Sequence, residues 1–253
     1  MKIHFLGTNS WYTSPTGNTA CILIDCSDRY IIFDAGNGLY KIDQYITENK
    51  PIALFISHFH IDHVSGLQTL SKFEFPQGVD IYVAKGRKKD FETFAGPPYT
   101  IGYKDADGIP FKFKTEYRLH ELELGKNDIG FPVEVFEMYH LFSDHAFKLE
   151  LEGKTISYSG DTGVGPNSAL LAKNADVLIH ECTNDSAIQG ESGHVNSKDA
   201  ANIAKEGNVK QLLLTHFAPG IFTTIEKRKE AEKQAQEIFS NTIAAVDELK
   251  VEV

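Results

Sequence analysis

Apolar positions along this chain fall into short runs of two kinds. Alternating or continuous β-type runs cover 2–6, 20–26, 30–33, 52–56 and 79–83, the earliest separated by turn-rich stretches such as Ser14-Pro15-Thr16-Gly17-Asn18. Helical spacing predicts a helix over 39–47 and a shorter one over 87–94. Further strands are predicted at 111–114, 133–138, 146–151 and 155–158. From there helix and strand alternate, with helices at 168–173 and 197–206 and strands at 177–180 and 211–214. A charged helix over 225–239 and a strand over 250–253 close the chain. The segment 95–108, containing AGPPY and KDADG, has loop chemistry and reads either as a lid or substrate-contact loop or as a plain connection. Strands dominating early and α/β alternation later suggest sheets packed together with helices outside.

Composition narrows this picture without changing it. A chain of 253 residues can bury a large core as a single α/β domain. The net charge of −10, with no lysine- or arginine-rich block, argues against a nucleic-acid binder that relies on a broad electrostatic footprint. Lys85, Arg87, Lys88 and Lys89 form one small basic cluster, of a kind that is commonly a solvated helix face. Three cysteines, none in a CxxC spacing, do not make a disulfide framework, so a reducing cytoplasm is the expected compartment. MKIHFL is too short for the apolar region of an export signal, and no run approaches membrane-spanning length.

The densest chemistry lies in FISHFHIDHVSG, residues 55–66, directly after the apolar run at 52–56. Imidazole and carboxylate are costly to bury without partners. In an extended segment alternate side chains point the same way, so His58 and His60 can converge on one point. Asp62 and His63, after the chain turns, can face a second point nearby. A catalytic zinc takes about three protein ligands and keeps one site open, so four ligand-type side chains in one loop suggest two metals. The bland alternative is a surface loop that happens to be rich in histidine.

A dinuclear site needs further ligands at the ends of other strands. His140 ends VEVFEMYH, Asp161 follows ISYSG, and His216 follows QLLLT. In each case an apolar run delivers one polar residue to a loop at the sheet edge, where ligand sites of α/β proteins are commonly built. Singly, each reads equally well as a lone histidine or a capping aspartate. With the first cluster they complete a set.

HFHIDH, then His140, SGDT around Asp161 and LTHF around His216, resembles the metallo-β-lactamase-fold hydrolases in order and local sequence. The resemblance spans nearly the whole chain, from FLGTNS to the last strand, and implies one domain over 1–253. The implied fold is a four-layer αβ/βα sandwich of two mixed β-sheets with helices on the outer faces and metals at one sheet edge. By this likeness His58, His60 and His140 hold one metal, Asp62, His63 and His216 hold the second, and Asp161 bridges them. Nitrogen-rich ligation suits zinc, with manganese or iron as alternatives.

Within that superfamily the chain is similar to the ribonuclease Z and small phosphodiesterase branch, through FLGTNSW, ADVLIHECT and GHVNSKDAANIAKEGNVKQLLLTHF. In that branch a glutamate and a histidine form a relay beside the leaving group, and the matching positions are Glu181 and His194. A carboxylate bonded to an imidazole raises its basicity and fixes its orientation, which suits a proton donor to a departing alkoxide. The competing reading of His194 is a loop histidine ahead of a helix capped by Asn196 or Ser197. His180 reads as a strand-end residue, and His4, His120 and His145 as structural. The expected chemistry is attack by a metal-activated hydroxide on a phosphodiester, with Asp62 orienting the hydroxide.

Three departures from ribonuclease Z shape the expected substrate. Only twenty residues separate His140 from Asp161, leaving no room there for the projecting arm that clamps tRNA. The early PTxxRN-type segment occurs as Pro15-Thr16-Gly17-Asn18-Thr19, without its arginine, and GHVNS replaces GHST. With few compensating cations, a small or flexible phosphodiester is favoured over structured tRNA. A ribonuclease Z-like endoribonuclease and a thioester, lactone or β-lactam hydrolase stay as alternatives, beside a metal-dependent binding or redox protein. Histidine at position 60, where diiron redox relatives carry glutamate, disfavours redox. A homodimer rests on the resemblance alone.

Overall fold

Leu54 and Phe55, neighbours in one strand, are both buried but in different cores, and that alternation organises the molecule. A computed structural model describes residues 1–105, 112–185 and 193–253. The first sheet contains β1 (Lys2–Gly7), β2 (Cys21–Asp25), β3 (Tyr30–Phe33), β4 (Ile52–Phe55), β5 (Val79–Ala84) and β6 (Tyr117–Leu122). The second contains β7 (Gly125–Asp128), β8 (Pro132–Glu137), β9 (His145–Leu151), β10 (Lys154–Tyr158), β11 (Val177–Glu181), β12 (Gln211–Thr215) and β13 (Thr242–Ala244). The closing strand, β14 (Lys250–Glu252), returns to pair with β1 in the first sheet. The strand orders are β14-β1-β2-β3-β4-β5-β6 and β13-β12-β11-β10-β9-β8-β7.

Both sheets are mixed. From β3 to β6 the pairing is parallel, as it is from β10 to β13, while the other pairs are antiparallel. Strands buried on both faces read as continuous apolar runs, which explains IALFI and LLL. Phe33, Phe55, Phe147, Tyr158 and Leu213 fill the space between the sheets. On the outer face of the first sheet, Leu54, Ile56 and Ile81 meet Leu39, Ile42, Leu67 and Phe91. On the outer face of the second, Leu178, Leu212 and Leu214 meet Leu171, Ala200, Ala204 and Ala231. The outer helices are α1 (Ile61–Val64) and α2 (Lys88–Phe94) on one side, with α3 (Pro166–Ala172), α4 (Ser197–Glu206) and α5 (Ile225–Gln236) on the other. This is the expected four-layer αβ/βα sandwich.

Several element assignments need correction. The helix predicted at 39–47 is a 3-10 helix over Asn37–Gln44, and a second, unpredicted one covers Ser65–Lys72. In a 3-10 helix side chains at i and i+3 eclipse, so Leu39 above Ile42 and Leu67 above Leu70 press one narrow ridge onto the sheet. Residues 112–114 of the strand predicted at 111–114 are not strand, and 111 lies outside the described residues. Thr115 ties that stretch sideways, accepting from Phe75 N at 2.8 Å and donating to Phe73 O at 2.8 Å, and the strand starts at Tyr117 instead. Strands β7 and β13 carry too few apolar residues to stand out in the sequence.

Parallel pairing sends the ends of β3, β4, β10, β11 and β12 to one edge of the sandwich. Gly36 and Gly66 let the loops after β3 and β4 press together there. A Cβ on Gly66 would overlap the carbonyl oxygen of Gly36, and one on Gly36 would overlap that of Asp62. Gly66 N donates to Ala35 O at 2.7 Å and Ala35 N to His63 O at 2.8 Å, fixing the histidine-rich loop against its neighbour.

Candidate metal centre

The common sheet edge brings together all seven ligand-type residues singled out in the sequence. His58, His60, His140 and Asp161 offer one group of donor atoms, and Asp62, His63 and His216 a second. Asp161 lies on both sides of the division, with Oδ2 3.7 Å from His58 Nε2 and Oδ1 3.4 Å from His63 Nε2. A third group joins Asp161 and His216 to His194. Within each group the donor atoms lie within 4.8 Å of one another.

Each element contributes for a local reason. His58 and His60 leave the end of β4 in extended chain, and α1 then turns Asp62 and His63 inward, leaving Ile61 exposed. Asp161 follows β10 through Gly160, whose φ of 55° is left-handed. His216 follows β12 and itself adopts φ 59°. A histidine in that region is uncommon, and here it turns the ring back toward the cluster.

Buried carboxylates orient the imidazoles. His58 Nδ1 lies 2.6 Å from Asp144 Oδ2, and His63 Nδ1 lies 2.7 Å from Asp34 Oδ2. Asp34 also accepts from Ser57 N at 2.7 Å and Tyr158 Oη at 2.6 Å. His216 Nδ1 lies 2.9 Å from Thr183 Oγ1. With Nδ1 engaged, His58 and His63 turn Nε2 inward, the arrangement that metal-ligating histidines adopt.

Burial and the clustered carboxylates pull the titrating groups in different directions. Burial, then the neighbouring His63, pushes His58 well below its ordinary pKa. Burial likewise lowers His60 and His140. At His63 burial acts downward, but Asp161, Asp34 and Asp62 together drive it well up. Burial raises Asp144 well above the usual carboxylate range, and the Asp161 charge adds to this. At Asp62 and Asp161 burial is overcome by the adjacent histidines, which hold both carboxyls low.

Two further observations fit cations here. His58 Nε2 and Asp161 Oδ1 are buried without a hydrogen-bond partner, which is costly unless another ligand takes them. His63 Nε2 and His216 Nε2 face each other at 2.9 Å, close enough to share a proton or, with neither nitrogen protonated, to be bridged by a cation. Histidine and carboxylate donors in this number suit a divalent transition metal.

Beside the cluster, His194 Nδ1 lies 2.8 Å from Glu181 Oε1. Glu181 is fully buried at the end of β11 and also accepts from Thr162 N and Thr183 N, each at 2.9 Å. Burial lowers the His194 pKa, but the Glu181 charge and hydrogen bond outweigh it and raise the ring to about 9. Asn196, not Ser197, caps α4, so the helix start does not engage His194.

Two further histidines bond to backbone, two residues of the basic cluster pair with acidic neighbours, and one of these, Arg87, also lines a cavity of about 480 Å³ with His58 and His60. His145 Nδ1 lies 3.2 Å from Ser57 O, and His180 Nδ1 lies 2.9 Å from Glu181 O. Lys85 pairs with Glu123 at 2.5 Å and Arg87 with Asp90 at 3.2 Å. Within 95–105, Tyr103 is buried with its ring 5.0 Å from Phe91, anchoring that stretch to the core. Positions 106–108 of the lid-or-connection segment lie outside the described residues.

Sequence reading missed Asp34, Asp144 and Thr183. Asp34 had a usable signal, a lone carboxylate directly after an apolar strand, as at Asp161. Asp144 and Thr183 had none, because their partners come from distant strands.

Two sheets in a four-layer sandwich, with a histidine- and aspartate-rich cluster at one edge, define the metallo-β-lactamase class of fold. Residues 22–217 match the family model described as "Beta-lactamase superfamily domain". The chain belongs to that superfamily and is a metallo-hydrolase of it, a class whose members use divalent metal ions. It is 26% identical to ribonuclease Z of Archaeoglobus fulgidus, with 100% of this chain and 97% of that protein covered. The crystal structure of the metallo-β-lactamase fold protein YhfI from Bacillus subtilis superposes with a TM-score of 0.79 at 22% identity, covering 99% of each chain. That of human tRNase Z, short form, gives a TM-score of 0.77 at 24% identity, covering 100% of this chain and 99% of the other. Among the described residues no helix is long and apolar enough to cross a membrane.

Proposed function

We propose that this protein is a phosphodiesterase acting on a small or flexible phosphodiester with the help of two divalent metal ions, zinc being the best match to the donors. His58, His60 and His140 would hold one ion, Asp62, His63 and His216 the other, and Asp161 would serve both. When bound, the ions supply Lewis acidity, bringing the pKa of water toward neutrality and offsetting charge that develops on phosphoryl oxygens. Asp62 would both hold one ion and orient the attacking water. Its Oδ2 accepts from Trp11 N at 2.6 Å, which limits its rotation.

The observation that carries the reading is the Glu181–His194 pair at 2.8 Å, placed beside Asp161 and His216. A departing alkoxide, from a phosphodiester or a lactone, needs a proton, and the thiolate of a thioester does not. A histidine kept protonated by a buried glutamate supplies that proton at neutral pH. Glu181 cannot rotate away, because two backbone N–H groups hold its oxygens.

The relatives named ribonuclease Z favour a second reading, cleavage of RNA. Against structured tRNA, the span between His140 and Asp161 is filled by the β9–β10 hairpin, with no projecting arm. The alignment to the A. fulgidus protein runs over 303 positions for a 253-residue chain, so that relative carries residues absent here.

The test is turnover by purified, zinc-reconstituted protein of bis-p-nitrophenyl phosphate, set against p-nitrophenyl acetate, a thioester, a lactone and a precursor tRNA. Phosphodiester turnover exceeding acyl turnover is expected. Acyl turnover without phosphodiester turnover overturns the reading, and efficient trimming of the precursor tRNA installs the second one.

A further inference from the structure

The wall of the cleft above the cluster is apolar and aromatic. A cavity of about 530 Å³ opens onto His60, Asp62, His140, Asp161 and His194, and its remaining lining is Trp11, Tyr12, Ile61 and Leu141. None of these is lysine or arginine. The four apolar side chains are among the most exposed large hydrophobic groups of the described residues, Trp11 at 68% and Leu141 at 75%. The volume lies within the range of small-molecule sites.

Trp11 is held where it is at a conformational cost. Its φ is 61°, a left-handed value that is uncommon for a bulky side chain and clusters at functional sites. The conformation is fixed by its own N–H donating to Asp62 Oδ2 at 2.6 Å, and by Tyr12 N donating to Ser10 O at 2.6 Å. The backbone that restrains a candidate metal ligand thus also sets an indole beside the cavity mouth. Packing does not explain an exposed indole in this geometry.

Resting on the phosphodiesterase reading, we infer that the substrate carries a flat heteroaromatic group, a nucleobase, that binds against Trp11 and Tyr12 while its phosphate meets the cluster. A polyanionic chain would need several lysines or arginines along its path; this wall offers none, and the adjoining cavity beside His58 and His60 offers Arg87 alone, paired with Asp90. A nucleobase is uncharged, planar and sequence-tolerant in stacking on indole and phenol rings. The ligand class is therefore a short nucleotide diester rather than a folded RNA or a purely aliphatic phosphodiester.

Trp11 is the single tryptophan of the chain, so its emission reports directly on this wall. The experiment titrates zinc-loaded protein with adenosine 5′-monophosphate and with ribose 5-phosphate, which shares the sugar and phosphate but lacks the base. We expect saturable change of Trp11 emission with the nucleotide and affinity at least tenfold tighter than for ribose 5-phosphate. Tyr12→Ser, which keeps the reporter, should narrow that ratio several-fold. Equal affinities, or no emission change on nucleotide binding, overturn the inference. So does an emission change that follows protein concentration and dimer elution without response to nucleotide. Bis-p-nitrophenyl phosphate turnover by the same sample separates the two claims. Turnover without base preference sinks only the base-binding wall, whereas base-selective binding without any diester turnover sinks the phosphodiesterase reading and keeps the wall.

Discussion

The Nδ1 atom of His58 lies 2.6 Å from a carboxylate oxygen of Asp144, a residue on the loop leading into β9 and wholly buried. This contact settles which nitrogen of His58 faces the cluster. Outer partners of this kind, when removed, typically cost about 10–100-fold in metal affinity. Asp144→Asn should therefore weaken zinc binding by roughly that factor while the fold persists. Competition against a zinc-binding dye, with circular dichroism as a fold check, measures it.

The Glu181–His194 pair makes a prediction about pH. Burial alone would lower the His194 pKa, and the Glu181 charge raises it to about 9. Cations bound nearby pull in the opposite direction, so the alkaline limb of kcat/KM should fall at or below about pH 9. Glu181→Gln removes the upward influence, so the protonated donor is lost at lower pH. The alkaline limb should move toward acid, and activity at neutral pH should drop by about 10²–10⁴-fold for a substrate with a poor leaving group. With a good leaving group such as p-nitrophenolate the loss should be much smaller. A pH–rate series on two diesters differing only in leaving-group pKa checks both statements.

Stability at the site edge depends on two glycines. Because a Cβ at position 66 would overlap the Gly36 carbonyl, Gly66→Ala must push apart the loops after β3 and β4. Overpacking of this type costs about 1–3 kcal/mol. In a chain of this length each kcal/mol lowers Tm by about 2–4 °C. Differential scanning calorimetry of the metal-free protein gives the value, and an unchanged Tm would show that the loops are not tightly apposed.

Much of this was legible in the sequence because the fold writes itself in continuous apolar runs. IALFI and QLLLT are buried on both faces and could hardly be anything but central strands, and each is followed within two residues by a histidine of the cluster. The pairing of Glu181 with His194 was legible only through family resemblance, since nothing in the local pattern joins them. Asp144 escaped notice because FSDHA looks like a turn, and its partner His58 comes from the other sheet. The strand placed at 111–114 was misled by alternation in FKFK, where the Thr115 hydroxyl ties the chain to 73–75 and delays the strand to Tyr117. Trp11 stood in FLGTNSW, a stretch that carries the family resemblance, but nothing there marked it as a cleft residue. Its left-handed backbone and its bond to Asp62 arise from tertiary contact alone.

The most direct test of the central claim is calorimetric titration of zinc into chelator-stripped protein, with metal content verified by elemental analysis. The account predicts two equivalents per chain in the wild type and loss of at least one in Asp161→Ala, the residue shared by both donor groups. Binding of no zinc, or a stoichiometry indifferent to Asp161, would contradict it.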